Sequence, residues 1–148
     1  MGLVFVDTNI LVYAHDAADP TKQSRAIAAL SHLHDTGRGR LSTQVLGELY
    51  CIVTKGQKPL VKTAEAREQV ERLSRSWHVL DVTPMIVLEA LRGAAAHRMP
   101  YWDAQLWATA RLNQIPTIFS EDFNTGASLG GVRFVDPLAD GFDLAAWG

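Results

Sequence analysis

What most restricts this chain is an alternation. Short apolar runs with no helical period recur from end to end, each separated from the next by a segment that has one. Leu3-Val4-Phe5-Val6 is too short for a helix and has no polar face, which is how a strand buried on both sides reads. Asp7 ends that run, and Thr8 to Asp16 follows as a short helix. Pro20 opens a second helix to about His34, with Ile27, Leu30, Leu33 and His34 on one stripe, and Gly37 and Gly39 stop it. Arg40-Leu41-Ser42 returns as a strand, and a helix runs from about Thr43 to Lys55 until Gly56 and Pro59 break it. Lys62 to Ser76 is amphipathic, with Glu68–Arg72 and Glu71–Arg75 paired at i,i+4. His78 to Val82 is a further strand, Pro84 to His97 and Tyr101 to Asn113 are helices, and Pro116 to Ser120 and Val132 to Val135 complete the strands. Strands separated by helices need crossover connections. The pattern therefore predicts an α/β chain, a three-layer α/β/α sandwich around a central, mainly parallel sheet of about five strands. No linker or repeat divides it, so residues 1–148 are expected to form a single domain.

Composition narrows the chemistry. An apolar content of 47% is enough for an ordinary core, and a single cysteine, Cys51, leaves no disulfide framework and no cysteine-based zinc site. The first apolar run is too short for a signal peptide or a membrane span, so a cytoplasmic protein without membrane attachment is the expectation. The 14 basic and 16 acidic residues give a net charge of −2, so any binding of nucleic acid needs a local basic surface. Arg38, Arg40, Lys55 and Lys58 are candidates for it, whereas Lys62 is followed by the cancelling charges of Glu65, Glu68 and Glu71. Trp102, beside Asp103, is a candidate stacking platform.

Open parallel sheets place their sites beyond the carboxyl ends of the strands, and acids stand at such places here. Asp7 follows the first strand, Asp122 lies two residues past Ser120, and Asp103 begins the last long helix. Each alone could be a helix cap. Glu48 is harder to explain as structure. It lies in the apolar helix segment Val45 to Val53, with no basic residue three or four positions away. It needs an interior partner such as Arg40 or Arg111, a proton, or a cation. If the four acids converge, their repulsion calls for positive charge among them, and a hard divalent ion held by oxygen, Mg²⁺ or Mn²⁺, suits the inventory. Such a site can activate water against a phosphodiester.

The constellation, in this order, resembles the PIN-domain ribonucleases, and among them the VapC toxins of bacterial VapBC toxin–antitoxin pairs. Val6-Asp7-Thr8-Asn9-Ile10-Leu11-Val12-Tyr13-Ala14 looks like the opening motif, and Ser42-Thr43-Gln44-Val45-Leu46-Gly47-Glu48-Leu49-Tyr50 like the segment that carries the second acid. Tyr101-Trp102-Asp103-Ala104 and Phe119-Ser120-Glu121-Asp122-Phe123-Asn124 match the third and fourth, and Val132 to Pro137 resembles the closing strand of one branch. The resemblance implies a PIN-like fold and a metal-dependent endoribonuclease, the toxin component of a type II pair. Asp7, Glu48, Asp103 and Asp122 would be the metal ligands, with Asn9 and Ser120 orienting carboxylates or waters. It also implies an RNA substrate, a cognate VapB-type antitoxin and a homodimer. Many relatives carry a further Asp two residues after the fourth acid, where this chain has Asn124, and Glu121 remains open as an additional ligand. A PIN-like nuclease in RNA maturation, a phospho-acceptor signalling domain and a non-catalytic binding module are the alternatives. The phospho-acceptor would want paired acids after the first strand and a Lys after a late one, but Thr8 follows Asp7 and Glu121 follows Ser120.

Overall fold

Short polar side chains set the helix starts. Asp7, Asp19, Ser42 and Thr83 each accept a hydrogen bond from a backbone N–H in the first turn of the helix that follows. Pro20 and Pro84 occupy first-turn positions, where a missing N–H loses nothing. The structure, a computed structural model, describes residues 2–147. Its strands are β1 (Val4–Val6), β2 (Gly39–Ser42), β3 (His78–Leu80), β4 (Thr117–Phe119), β5 (Ser128–Leu129) and β6 (Val132–Val135). Its helices are α1 (Thr8–Tyr13), α2 (Pro20–Thr36), α3 (Thr43–Val53), α4 (Thr63–Ser76), α5 (Pro84–His97) and α6 (Tyr101–Leu112), and a 3₁₀ turn spans Leu144–Trp147.

The six strands form one sheet in the order β3-β2-β1-β4-β6-β5, parallel throughout except for the β5–β6 hairpin. The expectation was about five. The additional strand, β5, has two residues and no apolar run to announce it. It exists because Gly130 and Gly131, at φ 53° and 83°, take the left-handed conformations that a tight hairpin needs. From β1 the chain steps outward to β2 and β3, then crosses back to place β4 on the other side of β1. With right-handed crossovers, this reversal puts α1 to α4 on one face and α5 and α6 on the other. Helix contacts follow that division: α3 lies against α1 and α4, α1 against α2, and α5 against α6.

The point of reversal, between β1 and β4, is where such sheets open a crevice. Here the register matters. Val4, Phe5 and Val6 stand opposite Thr117, Ile118 and Phe119, so the two strands end level. Asp7 N donates to the Phe119 carbonyl at 2.9 Å, and Ser120 N donates to Val135 at 2.9 Å, which brings Asp7 and Ser120 out side by side.

The core beneath is built on Phe5, Phe119, Phe134 and Trp107, all at most 1% exposed. Trp107 Nε1 donates to the Leu129 carbonyl at 3.0 Å, which satisfies its only polar atom and ties α6 to the hairpin. Trp147 folds back on Phe119, with ring centroids 5.0 Å apart, and its carbonyl accepts from Arg38 Nη1 at 3.0 Å. Arg40 Nη1 donates to the carbonyls of Gly37 and Gly39. Arg38 therefore holds the carboxyl-terminal turn and Arg40 the turn into β2, at the opposite end of the strands from Asp7. Lys55 and Lys58 are exposed.

Two helix glycines are expected to respond in opposite directions. A Cβ at Gly93 would lie 2.3 Å from the Trp107 ring, so Gly93→Ala should lower the urea unfolding free energy by about 1–3 kcal/mol. A Cβ at Gly47 meets nothing within 4 Å, so Gly47→Ala should raise it by about 1 kcal/mol through helix propensity alone.

Candidate active site

Asp7 stands where β1 stops and α1 begins, in extended conformation at φ −72° and ψ 154°. Its Oδ1 accepts from Thr8 N at 2.6 Å, and its Oδ2 accepts from Ser120 Oγ at 2.7 Å. Ser120 Oγ in turn accepts from Asp122 N at 3.1 Å and from Asn9 Nδ2 at 3.2 Å. Asn9 Nδ2 also reaches Asp7 Oδ2 at 3.4 Å, while Asn9 Oδ1 accepts from Glu121 N at 3.3 Å. The ends of β1 and β4 are thus knotted through three polar side chains. Asp7 and Ser120 are buried, at 5% and 0% exposed. Burial raises the Asp7 carboxyl to about 7, against the pull of the Ser120 and Thr8 hydrogen bonds; the charges of Asp122 and Glu48 add to the rise.

The other acids come from three further stretches. Glu48 projects from α3, Asp103 from the first turn of α6, and Asp122 from the loop after β4. Burial raises the pKa of Glu48, a hydrogen bond from Gln44 opposes this, and the charge of Asp103 adds to it. Burial also raises the pKa of Asp103, and the charge of Asp122 adds to that. Repulsion therefore runs in a closed ring, from Asp7 to Glu48 to Asp103 to Asp122 and back.

Neither of the two arginines that the sequence offers as partners relieves it. Arg40 is turned to the backbone carbonyls described above, and Arg111 donates to the Gly130 carbonyl at 3.0 Å with Glu89 3.8 Å away. Glu48 instead takes a neutral partner: Gln44 Nε2 donates to its Oε1 at 2.6 Å.

All four acids line one cavity of about 320 Å³, together with Asp16, Glu121, Asn9, Gln44, Tyr13 and Trp102, and among the described residues no Lys, Arg or His lines it. Ser120 lies below the cavity wall and holds Asp7 from behind. Glu121 is the pocket acid that has a cation: Lys22 pairs with it and stands over the Tyr13 ring, 4.9 Å from its centroid. Among the described residues, no three His, Cys, Asp or Glu side chains converge into a ready-made ion cage. The carboxylates face one another across open space. That arrangement leaves room for a cation that keeps its waters and shares a phosphate. Trp102, 63% exposed, forms the rim beside Asp103.

Sequence reasoning missed Gln44, Asp16, Tyr13 and Lys22. Gln44 had a usable signal, its i,i+4 spacing to an otherwise unpartnered Glu48. Asp16 and Lys22 had none, because only the folded turn after α1 brings them to the pocket.

The model of the PIN domain family matches residues 4–125. No curated protein matches the chain. Among solved structures, the chain is similar to VapC20 of Mycobacterium tuberculosis, described as a Sarcin-Ricin loop cleaving toxin. The identity is 22% and the TM-score 0.64, over 88% of this chain and 98% of that one. It is also similar to a chain of a toxin–antitoxin complex from Klebsiella pneumoniae, at 16% identity and a TM-score of 0.68, over 90% and 97% of the two chains. A chain of DNA-bound VapBC from Salmonella typhimurium matches at 18% identity and a TM-score of 0.63, over 93% and 99%. At these identities the likeness is one of fold. Among the described residues, no helix is long and apolar enough to cross a membrane.

The raised Asp7 pKa fixes the sign of a pH effect. Between about pH 4 and about pH 7, the folded state keeps a proton that the unfolded chain has released, so stability falls as pH rises through that window. In chelator, the urea unfolding free energy should decline from pH 5 to pH 7 by up to about 1.4 kcal/mol per pH unit and level off above that. Asp7→Asn should flatten that decline and be the more stable protein at pH 8.

Proposed function

The chain belongs to the PIN-domain family, and on that premise we propose that it is a metal-dependent endoribonuclease, the toxin of a type II toxin–antitoxin pair. One observation carries the reading. Four acids from separate stretches of the chain share one cavity, and among the described residues no basic side chain lines it. A wall of that charge is costly to assemble unless a cation is its normal occupant. The donor set is all oxygen, which fits Mg²⁺ or Mn²⁺ better than a softer metal. Asp7, Glu48, Asp103 and Asp122 would hold the ion. When bound, such an ion lowers the pKa of a water and stabilises negative charge on a phosphoryl group.

The chain's own residues then have distinct tasks. Ser120 and Thr8 hold the two oxygens of Asp7 by hydrogen bonds, so its carboxylate is fixed in place before any ligand arrives. Asn9 braces Ser120 and the Glu121 backbone, keeping the β4 loop against α1. Lys22 neutralises Glu121, which accounts for Glu121 as part of the rim rather than as a further ligand. Trp102 offers an exposed ring next to Asp103, suited to stacking on a base of a single strand.

Partners follow from the neighbours. VapC20 is described as a toxin that cleaves the Sarcin-Ricin loop, and the other structures are toxin–antitoxin assemblies. They support an RNA strand as substrate and a VapB-type antitoxin as inhibitor, and membership of the family suggests a second copy of the chain as dimer partner. Met85, Leu88 and Leu91, exposed along α5, supply apolar surface of the kind such assemblies bury. An antitoxin guanidinium placed among the carboxylates would supply the missing positive charge, which makes inhibition electrostatically sensible.

Purified protein incubated with a defined RNA pool should cut it in Mg²⁺ or Mn²⁺ and not in excess chelator. Asp7→Asn and Asp103→Asn should each reduce cutting to the chelator level while remaining folded by circular dichroism. Cleavage that persists in chelator or in both variants overturns the nuclease reading. Expression alone should arrest growth, and co-expression of the neighbouring antitoxin should relieve it; growth without arrest would favour RNA maturation over a toxin.

A further inference from the structure

Gln44 does more than meet Glu48. From the same Nε2 it also donates to the Trp102 carbonyl of α6 at 3.2 Å. Its Oε1 accepts from Gln105 Nε2 at 2.9 Å, and Gln105 Oε1 accepts from the Tyr101 hydroxyl at 2.7 Å. Gln105 is only 6% exposed, on a helix whose neighbouring positions Ala104, Leu106 and Trp107 are core. A buried amide is tolerated there only if its polar atoms are bonded, and both of them are.

The row has a direction set by chemistry. A carboxylate can only accept, so Gln44 must turn its NH₂ toward Glu48 and its oxygen away. Gln105 must then answer with its own NH₂, which leaves its oxygen for the Tyr101 O–H. Of the ways to flip two amides, this one alone satisfies every donor and acceptor. An Arg or Lys in place of Gln44 would orient Glu48 equally well, but it would also neutralise the charge that a cation needs. A neutral amide orients without competing.

We propose that Gln105 is a positioning residue of the pocket: acting through Gln44, it fixes the Glu48 carboxylate of α3 relative to Asp103, two residues before it on α6. The inference rests on the reading of Glu48 as a cation ligand. Without the row, two carboxylates that repel would face each other from different helices, and the flexible Glu48 side chain would swing toward water. With it, Glu48 is tied to the helix that carries Asp103.

The test is calorimetric titration of Mn²⁺ into metal-free protein, paired with RNA cleavage measured across Mn²⁺ concentrations. Gln105→Glu keeps the shape but presents an oxygen to Gln44, whose amide must reverse and turn its own oxygen on Glu48. That variant and Gln44→Leu should bind Mn²⁺ about 10- to 100-fold more weakly, as removal of a ligand's supporting partner generally does. Their cleavage rate should recover at saturating Mn²⁺, a change in metal requirement that altered packing would not produce. Tyr101→Phe, which removes only the terminal donor, should weaken binding by no more than about threefold. Gln44 is partly exposed, so Gln44→Leu carries the test should the buried substitution fail to fold. Unchanged Mn²⁺ affinity in the folded variants overturns the positioning role. A wild-type protein that neither binds Mn²⁺ nor cuts RNA overturns the nuclease reading, and this inference with it.

Discussion

The hydrogen bond from Ser120 to Asp7 joins the ends of two neighbouring parallel strands, and the rest of the pocket is arranged around that junction. It is possible because β1 and β4 pair in level register and stop together. A shift of one residue would turn Asp7 to the other face of the sheet and leave Ser120 opposite an apolar side chain. The strands are short, so register is held by what flanks them: the fully buried Phe5, Ile118 and Phe119 below, and the Asn9–Ser120–Asp7 knot above. Helices α3 and α6 then bring Glu48 and Asp103 to the same opening from opposite faces of the sheet.

The pocket is the part of the molecule where local chemistry and stability disagree. Elsewhere polar groups are placed as a stable protein would place them: Asp19, Ser42 and Thr83 cap their helices, Trp107 has its acceptor, and Arg67–Glu71 pairs along α4. At the pocket, burial raises the proton affinities of Asp7, Glu48 and Asp103, and the charges of neighbouring carboxylates add to the rise. Such conflict is expected at functional sites, which sacrifice some stability to hold groups in a reactive arrangement. Lys22–Glu121 marks the boundary of the effect, since one residue before Asp122 the ordinary pairing of opposite charges returns.

Much of this was legible in the sequence, for identifiable reasons. Apolar runs such as Leu3 to Val6 and Pro116 to Ser120 read correctly as strands because a buried parallel strand needs apolar residues on both faces. Glu48 stood out because its helix offered it no basic partner, and the structure shows that neither Arg40 nor Arg111 serves it. The parts that were hidden depend on contacts between distant segments. β5 is two residues long and owes its existence to a pair of glycines and to β6. Thr8 to Asp16 read as one helix, but α1 ends at Tyr13: the His15 and Asp16 N–H groups bond the carbonyls three residues back, and that tighter turn carries Asp16 to the pocket. The direction of the Gln44–Gln105 row could not be read from residue types, since amides are chemically ambivalent until a charge at one end orients them.

The strand order has a consequence for how this protein comes into being. A ribosome releases the amino end first, so Asp7 and β1 emerge long before the segment that will lie beside them. β4 is wedged between the first strand and β6, and Asp103, Ser120 and Asp122 all reside in the last third of the chain. A partly made polypeptide therefore holds only isolated acids and no opening for them to line. Whatever this pocket acts on, it cannot act before α6 and β4 have been made and have folded against β1.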